Sequence, residues 1–369
     1  MEDTITIGET CGIEFECDDL NSNNNIPVRN WKKTHDASIE TPTCFINSLG
    51  GISVKETNLI KLLSYYNGQR GVEIVSPILD TEDDSLLDTL KNLTNTVFLS
   101  GESLRSTRSG IHYHISLPNP TLQILKNIIR FGRYFEPLFF YVGTMGYKFR
   151  GEENDSIYCR PITSFGPPCV HYYGDYAQVF NSDDLLKAKT RNDFWYLYGD
   201  CQNHGGRYNP VRYTWLNLYP LAPWGQYRGT LEFRIFNKTL NPLFIYSTLI
   251  LCKKFVHLVL SSSFGKAKEL GFLEENSIFD NTIDKEKVFG LLFKLDDAIN
   301  IEPEIIRILL NIIEQAPKIN LNTAYVHTHI RTRGENRYWD SSSYSPKVIK
   351  GSNIKKPKYI DIHVLRGEA

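Results

Sequence analysis

The sequence predicts an α+β fold with an antiparallel sheet, helices on one face of it and a helical C-terminal region. Short segments in the first two thirds alternate apolar and polar residues, as strands with one buried face do. Two of them, residues 212–219 and 229–236, are joined by a connection containing Pro and Gly, which favours an antiparallel pair. After residue 242 the apolar residues recur at helical spacing instead.

The first predicted strand is the clearest. Within residues 12–17, Ile13 and Phe15 alternate with Glu14 and Glu16, so one face of the strand is apolar and the other acidic. The elements predicted after it are strands at 31–40, 71–75 and 109–117 and helices at 57–66, 84–98 and 121–134.

The rest of the chain divides into loops, helices and a tail. Residues 135–176 contain many aromatic and glycine residues and are predicted to form active-site loops. Helices are predicted at 244–260, 285–297 and 304–315. We therefore expect a main domain over residues 1–260, a helical subdomain over 261–330 and a basic tail over 331–369.

The tail carries nine Lys or Arg against four Asp or Glu. The simplest interpretation is a solvated chain end. The alternatives are a segment that closes over the active site or one that binds an anionic or macromolecular partner.

Net charge, cysteine spacing and the length of apolar runs argue against several classes of protein. A formal net charge of -1 gives no overall field that would attract nucleic acid or acidic lipid. Seven widely spaced cysteines without a CxxC pair indicate reduced thiols rather than disulfides or structural zinc. The N-terminus lacks the pattern of a signal peptide, and the longest apolar run, residues 242–252, is too short for a bilayer. We expect a cytoplasmic protein, in the host cytoplasm if phage-encoded, with that run as a core helix.

Ionisable residues recur at i and i+2 in the predicted strands. The positions are Glu14 with Glu16, His112 with His114, Glu232 with Arg234, and Glu73 alone between two apolar residues. A solvent-facing sheet surface could explain any one pair. Three pairs, made mainly of carboxylates and imidazoles, suit a divalent cation better, because clustered carboxylates repel one another unless a cation neutralises them.

The surplus of carboxylates favours Mg²⁺ or Mn²⁺, and magnesium usually binds together with substrate phosphates. Since the sequence contains no Walker loop, arginines are the expected phosphate ligands. Four of them lie near the last two predicted strands, at Arg207, Arg212, Arg228 and Arg234.

These residues resemble, in their order along the chain, the active sites of glutamine synthetase and glutamate–cysteine ligase. They are most similar to the smaller amidoligase family of phages, bacteria and fungi. The motifs that carry the resemblance are residues 12–16 (GIEFE), Trp31 with 36–39 (DASI), 71–77 (GVEIVSP), 110–114 (GIHYH), 207–209 (RYN), and 230–234 (TLEFR) ahead of 239–241 (TLN). One departure is Tyr113, which places a bulky ring between the two histidines.

The resemblance implies a half-open, half-barrel antiparallel sheet with ATP and metal ions on its concave face. It implies that an acyl phosphate forms on a carboxylate substrate and reacts with an amine. The metal ligands would be Glu14, Glu16, Glu73, His112 and Glu232. The nucleotide would be bound by His114, Arg207, Arg212 and Arg234, and catalysis would involve Arg207, Arg234 and Glu73.

Three alternatives stay open. A phosphotransferase of the same fold would stop at a phosphorylated product. A zinc hydrolase could use His112, His114 and Glu232 around a metal-bound water. A nucleic-acid-binding protein acting through its tail is the weakest, since the chain shows no signature of such a fold.

Overall fold

The computed structural model describes nine parts of the chain: residues 7–17, 30–35, 72–99, 110–143, 162, 182–199, 214–223, 229–272 and 284–315. The predicted helix at 57–66 and the basic tail lie outside these ranges. So do most of the predicted loops and three of the expected phosphate-binding arginines, Arg207, Arg212 and Arg228.

Seven strands of the described chain form one sheet in the order β2-β3-β1-β5-β7-β6, with β4 paired to the start of β1. Every pair of neighbours is antiparallel. The strands are β1 Thr10–Cys17, β2 Lys32–His35, β3 Val72–Val75, β4 Leu79–Asp80, β5 Gly110–Ser116, β6 Leu216–Asn217 and β7 Thr230–Asn237. The predicted antiparallel sheet is confirmed in these parts of the chain.

Eight α-helices accompany the sheet within the described residues. They are α1 Leu86–Leu99, α2 Leu122–Gly143, α3 Ser182–Lys187, α4 Arg191–Gly199, α5 Pro242–Ser261, α6 Phe264–Glu269, α7 Lys285–Ile299 and α8 Pro303–Gln315. The described chain is therefore a mixed α+β structure, as the sequence predicts.

Helices α2 and α5 cover the apolar face of the sheet. Phe139 of α2 stacks on Phe233 of β7 with ring centroids 5.7 Å apart. The Tyr113 hydroxyl of β5 reaches α5, where it lies 2.8 Å from the Thr248 hydroxyl and donates to the Ile245 carbonyl at 3.2 Å. Tyr113 thus points away from the histidines on either side of it, because successive residues of a strand alternate between faces.

The prediction that loops follow residue 134 is wrong for residues 135–143, which continue α2. Pro137 lies inside this helix, where the missing N–H and the ring clash cost about 3 kcal/mol. Phe135, Leu138 and Phe139 are fully buried, and each such side chain contributes about 1.5–3 kcal/mol. Packing against the sheet therefore outweighs the helix-breaking tendency of the proline.

Gly143 ends α2 where the helix lies directly against β7. A Cβ atom at this position would be 2.8 Å from Ile235 Cγ2 and 3.0 Å from the Ile235 carbonyl oxygen. The close approach requires a glycine, because real Cβ atoms are not found at such distances from backbone.

Strand β6 is shorter than the predicted strand at 212–219. It covers only Leu216–Asn217 and is followed by a 3-10 turn at Tyr219–Leu221. Pro220 lies in that turn and has no N–H to donate to a strand ladder, which accounts for the early end.

The predicted C-terminal helices are confirmed as α5, α7 and α8. Leu292 of α7 and Leu309 of α8 are fully buried and belong to the same apolar cluster as the sheet residues Phe15 and Phe233. The boundary between the main domain and the helical subdomain stays a prediction.

Helix α5 is the one described helix that is long and apolar enough to cross a membrane. Most of its residues are buried against the rest of the fold, which fits the predicted core helix. The three cysteines in the described chain, Cys11, Cys17 and Cys252, are free thiols and buried.

Candidate active site

Three adjacent strands, β1, β5 and β7, build the polar face of the sheet. In their antiparallel register Glu14 lies opposite His112, and His114 lies opposite Glu232. Residues directly opposite each other on antiparallel strands point to the same face with Cβ atoms about 4.5–5.5 Å apart. The ionisable pairs predicted from the sequence therefore meet across neighbouring strands.

His112 lies at the centre of these groups. Its Nδ1 is 3.1 Å from Glu14 Oε2 and 3.5 Å from Glu232 Oε1, and its Nε2 is 3.5 Å from Glu16 Oε1. His114 Nε2 is 3.2 Å from Glu14 Oε1. We call these five residues the acid–imidazole cluster. All five lie on the sheet face where the strand pattern placed them, and their roles as ligands stay predictions.

The cluster is almost completely removed from solvent. The side chain of Glu14 is 13% exposed, and those of the other four are 8% exposed or less. Charges so deeply buried interact strongly, because little water screens them.

The pairing of β5 with β7 is irregular beside His112. Two residues of β7, Arg234 and Ile235, lie opposite His112 alone, as in a β-bulge. Bulges re-aim side chains and increase the local twist. The buried Arg234 lies beside the cluster and forms an ion pair with Glu232 Oε1.

Two hydrogen-bond donors hold the carboxylate oxygens that point away from His112. The backbone N–H of Gly110 donates to Glu16 Oε2 at 2.8 Å. The side-chain amide of Asn217 on β6 donates to Glu232 Oε2 at 2.6 Å. Each of these two acids thus has one oxygen fixed from outside and the other directed at His112.

Thr230 holds the outer nitrogen of His114 in a similar way. Its hydroxyl lies 3.1 Å from His114 Nδ1, so the ring is oriented with Nε2 toward Glu14. Thr230 alternates with Glu232 and Arg234 along β7, and this alternation could have identified it from the sequence. Neither Thr230 nor Asn217 was among the predicted site residues.

The positive charge of Arg234 favours the ionised form of the acids near it. Burial disfavours ionisation of Glu232, but Arg234 and the two histidines lower its pKa to about 2. Burial likewise opposes ionisation of Glu14, and there the histidines outweigh it and hold the pKa well below its usual range.

The surroundings of His112 favour the neutral form of its imidazole. Burial, and then the charge of Arg234, lower the pKa of its imidazole, although Glu14 and Glu232 act to raise it. A neutral imidazole is the form that can ligate a metal.

The donor set of the cluster fits a divalent cation. One ligand atom from each of Glu14, His114 and Glu232 lies within 4.8 Å of the others. Ligands bound to one ion of the size of Mg²⁺ are roughly 3 to 4 Å apart, so small side-chain movements would suffice. Among the residues that the structure describes, three glutamates of the cluster lie beside one arginine, and a cation would relieve that imbalance.

Glu73 lies next to the cluster on β3. It is opposite Glu16 in the β1–β3 register, so both side chains point to the polar face, and it is half-buried. Of the predicted site residues, Arg207 and Arg212 lie outside the described residues.

Comparison with known proteins identifies the family of the chain. The model of the family described as "Putative amidoligase enzyme" matches residues 12–256. This range includes β1 from its third residue, all of β2 to β7, and helix α5 except its last five residues. No curated protein matches the chain. Because the family model covers more than half of the sequence, including the whole acid–imidazole cluster, the chain belongs to the amidoligase family.

Proposed function

We propose that the protein is an ATP-dependent carboxylate–amine ligase with a glutamine synthetase-like sheet and Mg²⁺ or Mn²⁺ as its cofactor. The observation that carries the proposal is the buried acid–imidazole cluster with Arg234 beside it, on one sheet face of an amidoligase. Its substrates would be a carboxylate and an amine, as small molecules or peptides. The basic tail offers a route to an anionic or macromolecular substrate.

In this proposal Glu14, Glu16, His112 and Glu232 hold the metal, with Glu73 completing the ligand set from β3. Bound metal ions would supply charge neutralisation at the ATP phosphates. His114 would lie nearer the phosphates. What supports His112 as a ligand is that it contacts three acids, whereas His114 contacts one of them. The ligand atom of His114 lies within 4.8 Å of those of Glu14 and Glu232, so His114 is also within reach of a metal bound by these two acids.

The reaction has two steps. A substrate carboxylate oxygen attacks the γ-phosphorus of ATP, and the bond from that phosphorus to the β–γ bridging oxygen breaks, which gives ADP and an acyl phosphate. The amine nitrogen then attacks the acyl carbon. The carbon–oxygen bond breaks, phosphate leaves and the nitrogen loses a proton, which gives the amide.

Phosphoryl transfer is accelerated mainly by positioning and by neutralising charge. Arg234 is assigned to stabilise the phosphoryl group during transfer, together with Arg207, while Arg212 would bind the nucleotide. Glu232 orients the Arg234 guanidinium through their buried ion pair. Because the pKa of Glu232 is lowered to about 2, this pair stays charged throughout the neutral pH range.

The test begins with a screen of ATP turnover against pools of carboxylates and amines, with the product mass measured. We expect ADP and phosphate, with no pyrophosphate and no AMP, only when both an acid and an amine are present. Arg234→Lys should lower kcat more than it weakens ATP binding, since a planar bidentate donor is lost at the transferred group.

Isotope transfer then decides the mechanism. With ¹⁸O in the substrate carboxylate, one label should appear in the released phosphate. Label retained entirely in the amide would exclude an acyl phosphate. ADP formation that needs no amine would indicate a phosphotransferase. Cleavage of a substrate without ATP would indicate a zinc hydrolase. Either result would overturn the proposed ligase.

A further inference from the structure

Asn217 is a buried polar residue in which both ends of the amide make hydrogen bonds. It is 2% exposed and lies directly opposite Glu232 in the β6–β7 register. Its Nδ2 donates to Glu232 Oε2 at 2.6 Å, and its Oδ1 accepts from the Tyr219 backbone N–H at 2.9 Å. Tyr198 adds a long contact of 3.5 Å from its hydroxyl to the same Oδ1.

These partners determine which way the amide of Asn217 faces. A backbone N–H can only donate, so the atom next to Tyr219 must be the carbonyl oxygen. The NH₂ group is thereby directed at Glu232. A reversed amide would bring an oxygen against the carboxylate and two donors against each other.

The consequence for Glu232 is that its two oxygens have different partners. Asn217 holds Oε2, whereas Oε1 lies 3.5 Å from His112 Nδ1 and pairs with Arg234. The carboxylate is therefore held in one orientation, in which Oε1 faces His112.

Strand β6, which carries Asn217, is itself anchored to the core. The indole N–H of Trp215 donates to Oε2 of the fully buried Glu136 at 2.8 Å. The Trp215 carbonyl accepts from the backbone N–H of Arg234 at 2.8 Å. The donor that orients Glu232 thus sits on a segment tied to both α2 and β7.

We propose that Asn217 is a positioning residue of the active site, which orients Glu232 for metal binding through its amide. The inference rests on the proposed function, in which Glu232 is a metal ligand. Outer groups that orient a ligand commonly change metal affinity by about 10–100-fold when they are removed.

The experiment measures Mn²⁺ binding to the full chain by the electron paramagnetic resonance signal of free Mn²⁺. Asn217→Leu keeps the approximate size of the side chain and removes the donor. We expect its Kd for Mn²⁺ to rise by about 10–100-fold. If this variant folds poorly, Asn217→Ser replaces it, because the serine hydroxyl is too short to reach Glu232. The same rise in the Kd for Mn²⁺ is expected.

A matched control separates this effect from general loss of a buried amide. Asn127 on α2 is also buried, and its Nδ2 donates to the carbonyls of Val259 and Ser262 near the end of α5. Asn127→Leu should lower Tm without changing the Kd for Mn²⁺. An equal rise in Kd in both variants would overturn the proposal.

A double variant tests whether Asn217 acts through Glu232. If it does, Asn217→Leu should weaken Mn²⁺ binding less than about two-fold when added to Glu232→Gln, because coupled residues are not additive. Independent losses that multiply would contradict the assignment. Wild-type protein that binds no Mn²⁺ would remove the proposed function as well, whereas wild-type binding that Asn217→Leu and Asn217→Ser leave unchanged would overturn this inference alone.

Discussion

The two faces of the sheet are built from the same strands and differ in almost every property. On one face Ile13, Phe15, Tyr113 and Phe233 are fully buried beneath α2 and α5. On the other, the alternate residues of β1, β5 and β7 form the acid–imidazole cluster. Adjacent residues of one strand can therefore have opposite roles, because one stabilises the fold and the next adds charge to the cluster.

The physical reason lies in what each face gains from burial. Apolar side chains gain free energy when water is removed, by about 25 cal/mol per Å². Buried carboxylates lose free energy of hydration. Only well-placed partners offset that loss, as Arg234 does for Glu232. We therefore expect substitutions on the apolar face to change stability at every pH, and substitutions on the polar face to change binding and the pH dependence of stability.

The largest expected effect is on the apolar face. Phe233→Ala should lower the free energy of unfolding by about 3–5 kcal/mol, because it leaves a cavity beneath Phe139. Urea denaturation in EDTA measures this loss. Glu16→Gln, on the polar face, should stay within about 1 kcal/mol of the wild type, since its amide oxygen can still accept from Gly110. Equal losses in both variants would contradict the division between the faces.

The second prediction concerns acid sensitivity of the polar face. The pKa of Glu232 falls from 4.5 to about 2 on folding, so its contribution to stability is present above pH 4.5 and is lost as the pH falls toward 2. A shift of this size corresponds to the order of 3 kcal/mol. In urea denaturation between pH 6 and pH 2.5 without metal, Glu232→Gln should lose less stability on acidification than the wild type.

The control for this prediction is Asp88→Asn. Asp88 is an exposed partner of Lys91 on α1, where ion pairs contribute little. This variant should follow the wild-type dependence on pH. The prediction fails if Glu232→Gln follows it as well.

The smallest effect distinguishes two consecutive residues. Tyr113→Phe removes the buried hydrogen bonds to Thr248 and Ile245 and should cost about 0.5–1.5 kcal/mol of stability. It should not change the Kd for Mn²⁺, whereas His112→Gln should raise that Kd. A change in Mn²⁺ binding in Tyr113→Phe would show that the hydroxyl of Tyr113 affects the polar face.

Local alternation was enough to predict β1, β5 and β7 and the residues of the cluster. Glu14 and Glu16, or His112 and His114, share a face because of strand geometry alone, which is visible in the sequence. The contact between His112 and Glu14 also follows once β1 and β5 are neighbours, because the two residues are opposite each other in the register.

Features that depend on distant contacts could not be predicted in this way. The continuation of α2 through Pro137 depends on tertiary burial, which overrides a local helix breaker. The bulge at Arg234 is set by pairing with β5, and the donor at Gly110 is a backbone N–H that has no side-chain signature. Tyr113 was interpreted as an intrusion between the histidines, although the same alternation rule places it on the apolar face.

Thermal unfolding with and without Mg²⁺ and ATP shows whether the acid–imidazole cluster binds metal and nucleotide. A ligand that binds only the folded state at 100 times its Kd adds about 2.7 kcal/mol, so Tm should rise by several degrees. The rise should disappear in EDTA and in Glu14→Gln and Glu232→Gln, and it should persist in Tyr113→Phe. A shift that survives EDTA and both glutamate substitutions would contradict the claim that the acid–imidazole cluster is a metal–nucleotide site.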